Sequence, residues 1–100
     1  MKVLAEVAIA TIGSGPSASD FIASCKKIFE ECKLKHEMHA LGTNVEGEWD
    51  EVLAAVRRCH EVVHGLGVPR LSTRLQLETQ VDGEPTLGKK VRSVEAKLQS

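Results

Sequence analysis

The sequence predicts an α+β sandwich of element order β-α-β-β-α-β, followed by one extra C-terminal helix. Two observations predict it: apolar residues recur at helical spacing in two long segments, and four other segments have the composition or alternation of strands. Glycine, proline and polar turn residues separate these segments. The chain has 100 residues, so we expect residues 1–100 to form a single domain.

The N-terminal part predicts a strand and then a helix. Residues 2–12 are small or apolar on both faces of an extended chain, and such a strand is typically buried on both faces. The sequence GSGPS at 13–17 predicts a loop. A helix is expected from Ser17 to Lys33, where Ser17 and Asp20 resemble a capping box. Its apolar stripe consists of Phe21, Ile22, Cys25, Ile28, Phe29 and Cys32.

The middle of the chain predicts a hairpin and a second long helix. We expect a short strand from His36 to Leu41, a turn at 42–44 and a second short strand that begins at Val45. Acidic residues in the next helix's first turn favour its N-terminus through the helix dipole, and glycines with Pro69 end it. Its inner face is predicted to contain Trp49, Val52, Leu53, Val56, Cys59 and Val63.

The C-terminal part predicts a strand with one apolar and one polar face over 70–81, then a helix over 86–98. The first six elements match the split-βαβ, ferredoxin-like motif, with both long helices on one face of a four-stranded antiparallel sheet. The opposite face must be polar, covered by the last helix or buried in an oligomer. The apolar second face of the first strand favours an oligomer.

Composition excludes several functional classes. The formal net charge is −1, so we expect neither nucleic acid nor an anionic membrane as a partner. No apolar run approaches the roughly 20 residues that span a bilayer. Glu6 interrupts the first apolar stretch, which argues against a signal peptide. Cys25, Cys32 and Cys59 lack CxxC spacing, so we expect reduced, buried thiols in a cytoplasmic protein.

The segment HALGTNVEGE at 39–48 is the best candidate for a binding site. It places the hydroxyl of Thr43, the amide of Asn44 and the carboxylate of Glu46 beside two glycines, a combination that suits a small polar ligand. Each feature also has an ordinary structural interpretation. Gly42 can serve a turn, and Glu46 can complement the dipole of the following helix.

Other candidate features carry weaker signals. The loop at 13–19 can cradle an anion, although a connecting loop with a helix cap explains it better. His60 and His64 have metal-ligand spacing, but no third ligand is evident and we expect no metal. His36 and His39 should project to opposite sheet faces. No catalytic triad or pair of acid–base carboxylates is recognisable, so we expect no enzymatic activity and no cofactor.

Four stretches resemble a known family over nearly the whole chain. They are the turn from Gly13 to Ser19, LGTNVEGEWDEV at 41–52, the strand from Arg70 to Thr79 and KVRSV at 90–94. The sequence is similar to the thiamine-binding, MTH1187-like proteins, and GTxxEG after a short strand is the most specific match. The resemblance implies a ferredoxin-like fold and a homodimer or homotetramer assembled through the sheets. It also implies that thiamine or a related pyrimidine precursor is bound without turnover.

This resemblance suggests roles for the candidate residues. Glu46 would pair with the amino group of the pyrimidine or offset the cation, Thr43 and Asn44 would bond the ring nitrogens, and Ser17 and Ser19 would complete the polar rim. The segment at 76–80 departs from the family's pattern, which puts a ligand role for it in doubt. Two alternatives stay open: a structural or regulatory oligomer that acts through protein partners, and an enzyme acting on a thiamine-like compound.

Overall fold

The computed structural model describes residues 1–13 and 17–99. It confirms the predicted order of seven elements. In chain order they are β1 (Lys2–Ile12), α1 (Ala18–Glu31), β2 (Lys35–His39), β3 (Gly42–Glu48), α2 (Trp49–Gly65), β4 (Arg70–Glu78) and α3 (Lys89–Gln99).

The four strands form one antiparallel sheet of order β2-β3-β1-β4. β1 lies inside the sheet, where it pairs with β3 from Lys2 to Val7 and with β4 from Leu4 to Ile12. The predicted ferredoxin-like arrangement is therefore confirmed. Among the described residues, no helix is long and apolar enough to span a membrane.

One face of the sheet packs against α1 and α2 to form the hydrophobic core. Every second residue of β1 points into this core, and Val3, Ala5 and Val7 are all buried. Phe29 of α1 and Val52 of α2 are buried opposite them. No described polar or charged residue is buried as a whole, so apolar burial dominates the stability of this layer.

The predicted turn at 42–44 is wrong, because β3 already begins at Gly42 and the turn lies two residues earlier, at 40–41. A Cβ atom on Gly42 would lie 2.8 Å from the carbonyl oxygen of Val7. This glycine therefore allows close approach to β1. The turn-like composition of 42–44 was misleading because a strand can also require glycine for that reason.

Other predicted boundaries and contacts differ in detail. Ser17 precedes α1, but its hydroxyl donates to the carboxylate of Asp20 at 2.9 Å instead of capping a backbone N–H. Trp49 was expected inside, yet its exposed fraction is 36%. It is the first residue of α2, where its backbone N–H donates to Met1, and this terminal position leaves the ring at the edge of the core.

The C-terminal elements are shorter than predicted. β4 ends at Glu78, which pairs with Leu4 near the start of β1. Residues 79–88 have no regular secondary structure, and α3 begins at Lys89 instead of residue 86. Leu87 is buried, whereas the rest of the predicted stripe of α3 is exposed: Val91, Val94 and Leu98.

Candidate functional site

The sheet has an open face, which is the face opposite α1 and α2. A groove of 520 Å³ lies between this face and the segment at 85–93. We call it the open-face groove. Its volume is within the range of small-molecule sites, about 300–1,000 Å³. The strand wall includes Leu4 and Glu6 of β1, Asn44 of β3, and Gln76 and Glu78 of β4. The opposite wall is formed by 85–91 and Ser93.

Glu46 holds the two walls of the open-face groove together. Its Oε2 accepts a hydrogen bond from the backbone N–H of Leu87 at 3.1 Å and lies 4.0 Å from Nζ of Lys35. The side chain is only 10% exposed, so this charge-assisted hydrogen bond is partly shielded from water. The carboxylate therefore fixes the wall formed by 85–93 against the sheet.

A polar cluster at one side of the groove joins three strands through His39. The backbone N–H of Leu41 donates to Nδ1 of His39 at 3.3 Å, which makes this nitrogen an acceptor. The ring proton is accordingly assigned to Nε2, which lies 3.2 Å from Oδ1 of Asn44 and 3.3 Å from Oε2 of Glu6. His39 thus orients two side chains that line the groove.

The five predicted site residues do not lie together. Asn44 lines the groove and Glu46 borders it, but Thr43 faces the other side of the sheet because it pairs with the buried Val7. Thr43 lines a separate cavity of 160 Å³ beside α1. Ser17 and Ser19 are exposed at the start of α1, with their hydroxyl oxygens 3.1 Å apart, and line neither cavity.

The histidines predicted as weak metal candidates have protein partners. His60 hydrogen-bonds Thr73, and Nδ1 of His64 lies 2.8 Å from the carbonyl oxygen of Val68. As predicted, His36 and His39 lie on opposite faces, since His36 contacts Phe29 of the core side. Within residues 1–13 and 17–99 no group of three or more potential ligands could hold a metal ion. The loop at 13–19 includes 14–16, which lie outside the described residues.

The three thiols are free and lie in or just after the helices. Cys25 and Cys59 are buried, and Cys32 is partly exposed. A hydrogen bond to Cys25, together with burial, raises the pKa of the Cys59 thiol above its usual range. This arrangement agrees with the prediction of buried reduced thiols at two of the three positions.

A family model described as thiamine-binding protein matches residues 5–95. The chain belongs to this family. A UPF0045 protein of Synechocystis is 45% identical over all of this chain and 83% of its own length. Another, from Eremothecium gossypii, is 38% identical over 98% of this chain and 94% of its own length.

Solved structures of similar proteins share the fold. A hypothetical protein of Methanocaldococcus jannaschii has a TM-score of 0.85 and 34% identity, covering 94% of this chain and 96% of its own. A Thermotoga maritima protein, provisionally assigned to thiamine biosynthesis or salvage, has a TM-score of 0.78. It is 19% identical and covers 94% of this chain and 99% of its own, so that likeness concerns the fold alone.

In this member of the thiamine-binding family, the groove also contains residues that the sequence analysis did not propose. Glu6 is one of them, with His39 beside it at 3.3 Å, and Gln76 and Glu78 belong to the segment at 76–80 that departs from the family's pattern. The alternation of 70–81 had already assigned Gln76 and Glu78 to the polar face. That alternation and the charge of Glu6 within the mostly apolar β1 could have indicated these groove residues from the sequence.

Proposed function

We propose that this protein binds thiamine or a related pyrimidine precursor, without turnover, in the open-face groove. The observation that carries the proposal is a groove of ligand size with two glutamates and two side-chain amides on its strand wall. Membership of the thiamine-binding family supports the same ligand class. The Thermotoga maritima protein provisionally assigned to thiamine biosynthesis or salvage has the same fold.

The chemistry of the groove suits this ligand. Thiamine has a cationic thiazolium ring and an aminopyrimidine. Glu6 and Glu78 provide negative charge for the cation. Asn44 and Gln76 offer both donors and acceptors to the pyrimidine nitrogens and amino group. In this proposal Glu46 acts mainly by holding the opposite wall through Leu87.

We further propose a cytoplasmic homodimer or homotetramer. Ile12 on β1 and Val91, Val94 and Leu98 on α3 are exposed in the single chain. Exposed apolar side chains grouped on one helix face are typical of surfaces that associate. The same α3 residues favour the second candidate function, a structural or regulatory oligomer that acts through protein partners.

Isothermal titration calorimetry with thiamine and with hydroxymethylpyrimidine tests the primary proposal. We expect saturable binding, with about one site per chain or one per two chains. Asn44→Ala and Glu78→Gln should each weaken thiamine binding about tenfold or more, the scale of one charged or well-placed hydrogen bond. Glu37→Gln is the matched control, because Glu37 lies on the same sheet face but does not line the groove.

Absence of binding heat for both compounds, with a folded protein by circular dichroism, would contradict ligand binding and favour the protein-partner function. Equal losses in Glu37→Gln and Glu78→Gln would show that general surface charge matters and that the groove does not. Size-exclusion chromatography with light scattering measures the oligomeric state independently. A monomer at micromolar concentration would contradict the proposed assembly.

A further inference from the structure

The open-face groove is lined by residues of opposite charge that are not paired with each other. Glu6 and Glu78 line it from the strands, and Lys89 and Lys90 line it from the start of α3. Glu6 pairs with His39. Among the ion pairs of the described residues, none joins either lysine to either glutamate. Two lysines and two glutamates of the described chain therefore line one groove without an ion pair between them.

We propose that the ligand is dipolar: a cationic heterocycle that bears a phosphate ester, with the phosphate at Lys89 and Lys90. This inference rests on the proposed function, since it specifies the ligand class of the same groove. The positive ring lies toward Glu6 and Glu78. Among compounds of the proposed class, thiamine monophosphate has this charge distribution.

A ligand with only a positive charge would match one wall and meet repulsion from the other. Side-chain charges of the same sign as the ligand disfavour its binding, and this repulsion is stronger where protein walls exclude water. A phosphate ester carries close to two negative charges near neutral pH and has three strong acceptor oxygens. Lysine binds phosphate as a compact point charge with three donors. A ligand with both charges offers an opposite charge to both glutamates and both lysines.

The space between the charged groups suits a flat ring. Leu4 lies on the strand wall, and Leu87 and Val91 lie on the wall opposite. Leu87 is buried and held in place by the bond from its N–H to Glu46. Val91 of α3 is exposed and lines the groove. These apolar groups would cover the faces of a heterocycle whose ends reach the opposite charges.

The test compares thiamine, thiamine monophosphate and inorganic phosphate by calorimetry on the intact chain. We expect the monophosphate to bind at least about tenfold more tightly than thiamine, and inorganic phosphate alone to bind far more weakly. Lys89→Gln combined with Lys90→Gln should lower the affinity for the monophosphate until it equals that for thiamine. Lys27→Gln combined with Lys33→Gln removes two exposed lysines outside the groove and should preserve the preference.

Salt provides a second readout. The preference for the monophosphate should decline as sodium chloride rises above about 0.15 M, where the Debye length is about 8 Å. Equal or weaker binding of the monophosphate than of thiamine would overturn this inference and leave the proposed function intact. Inorganic phosphate that binds as tightly as the ester would also overturn it. Failure of all three compounds to bind would instead overturn the proposed function.

Discussion

The two faces of the sheet are built from the same strands but differ in what covers them. On the helix-covered face, Val3 and Val7 of β1 are almost completely removed from water by α1 and α2. On the open face, the intervening Leu4 and Glu6 remain half-buried beside the groove. The two long helices, α1 and α2, both pack on the same face. Residues that can recognise a ligand are concentrated on the other.

This contrast also separates stability from recognition. The covered face contains close-packed apolar side chains, for which small changes in volume alter the free energy of unfolding. The open face contains the linked polar groups Glu6, His39 and Asn44 and the contact between Glu46 and Leu87. Substitutions on the two faces should therefore differ in kind, and four predictions test that difference.

The largest expected effect is the loss of an aromatic ring from the covered face. Phe29→Ala should lower the free energy of unfolding by about 3–5 kcal/mol, because Phe29 is buried and its removal leaves a cavity. Ile12→Ala, on the open-face side of β1, should cost less than about 1 kcal/mol. Urea unfolding followed by circular dichroism measures both. Similar losses would show that the open face around Ile12 is buried in solution.

The next effect concerns a glycine on the covered face. A Cβ atom on Gly47 would lie 2.6 Å from Cδ2 of Leu34 and 3.3 Å from Cγ2 of Val52. Gly47→Ala should therefore destabilise the protein by about 1–3 kcal/mol through overpacking. Gly65→Ala is the control, since nothing lies within 4 Å of its added Cβ and alanine favours the helix. Thermal melts should move in opposite directions, and parallel shifts would contradict the packing argument.

A smaller, local effect is expected on the open face. Glu46→Ala removes the acceptor of the Leu87 N–H, and an unsatisfied buried donor costs about 1–3 kcal/mol. Hydrogen exchange measured by NMR should become faster at Leu87 and along 85–93. Glu46→Gln keeps an acceptor and should preserve more protection, while Glu48→Ala, exposed and paired with the N-terminus, serves as the control. An unchanged exchange rate at Leu87 would show that Glu46 does not stabilise the wall formed by 85–93.

The thiols provide the smallest effect and require no substitution. At pH 8, a maleimide should label the partly exposed Cys32 first, while Cys25 and Cys59 react only when the chain unfolds. Because the pKa of Cys59 is raised in the folded state, this thiol stays protonated there while the unfolded thiol ionises. This shift by itself contributes stability that is complete below pH of about 8.5 and declines above that value. The same hydrogen bond lowers the pKa of Cys25, which acts on stability with the opposite sign. Rapid labelling of all three thiols in the folded protein would contradict this burial.

Much of the fold could be predicted because its signals are local. The helical spacing of α1 and α2 and the alternation of β4 follow from side-chain periodicities that need no knowledge of neighbours. The opposite placement of His36 and His39 followed from the period of two in a strand. The start of β3 was missed because Gly42 resembles a turn residue until the nearby carbonyl of Val7 is known.

The sequence by itself determined the order of the elements, the apolar helix stripes and the concentration of polar groups near 39–48. Only the tertiary structure decided which of those groups face one groove. Thr43 and Asn44 are adjacent in sequence but lie on opposite sheet faces, whereas Glu46 meets Leu87 across 41 residues of chain. The physical reason is that a binding site depends on strand register and long-range packing. Local propensity specifies neither of them.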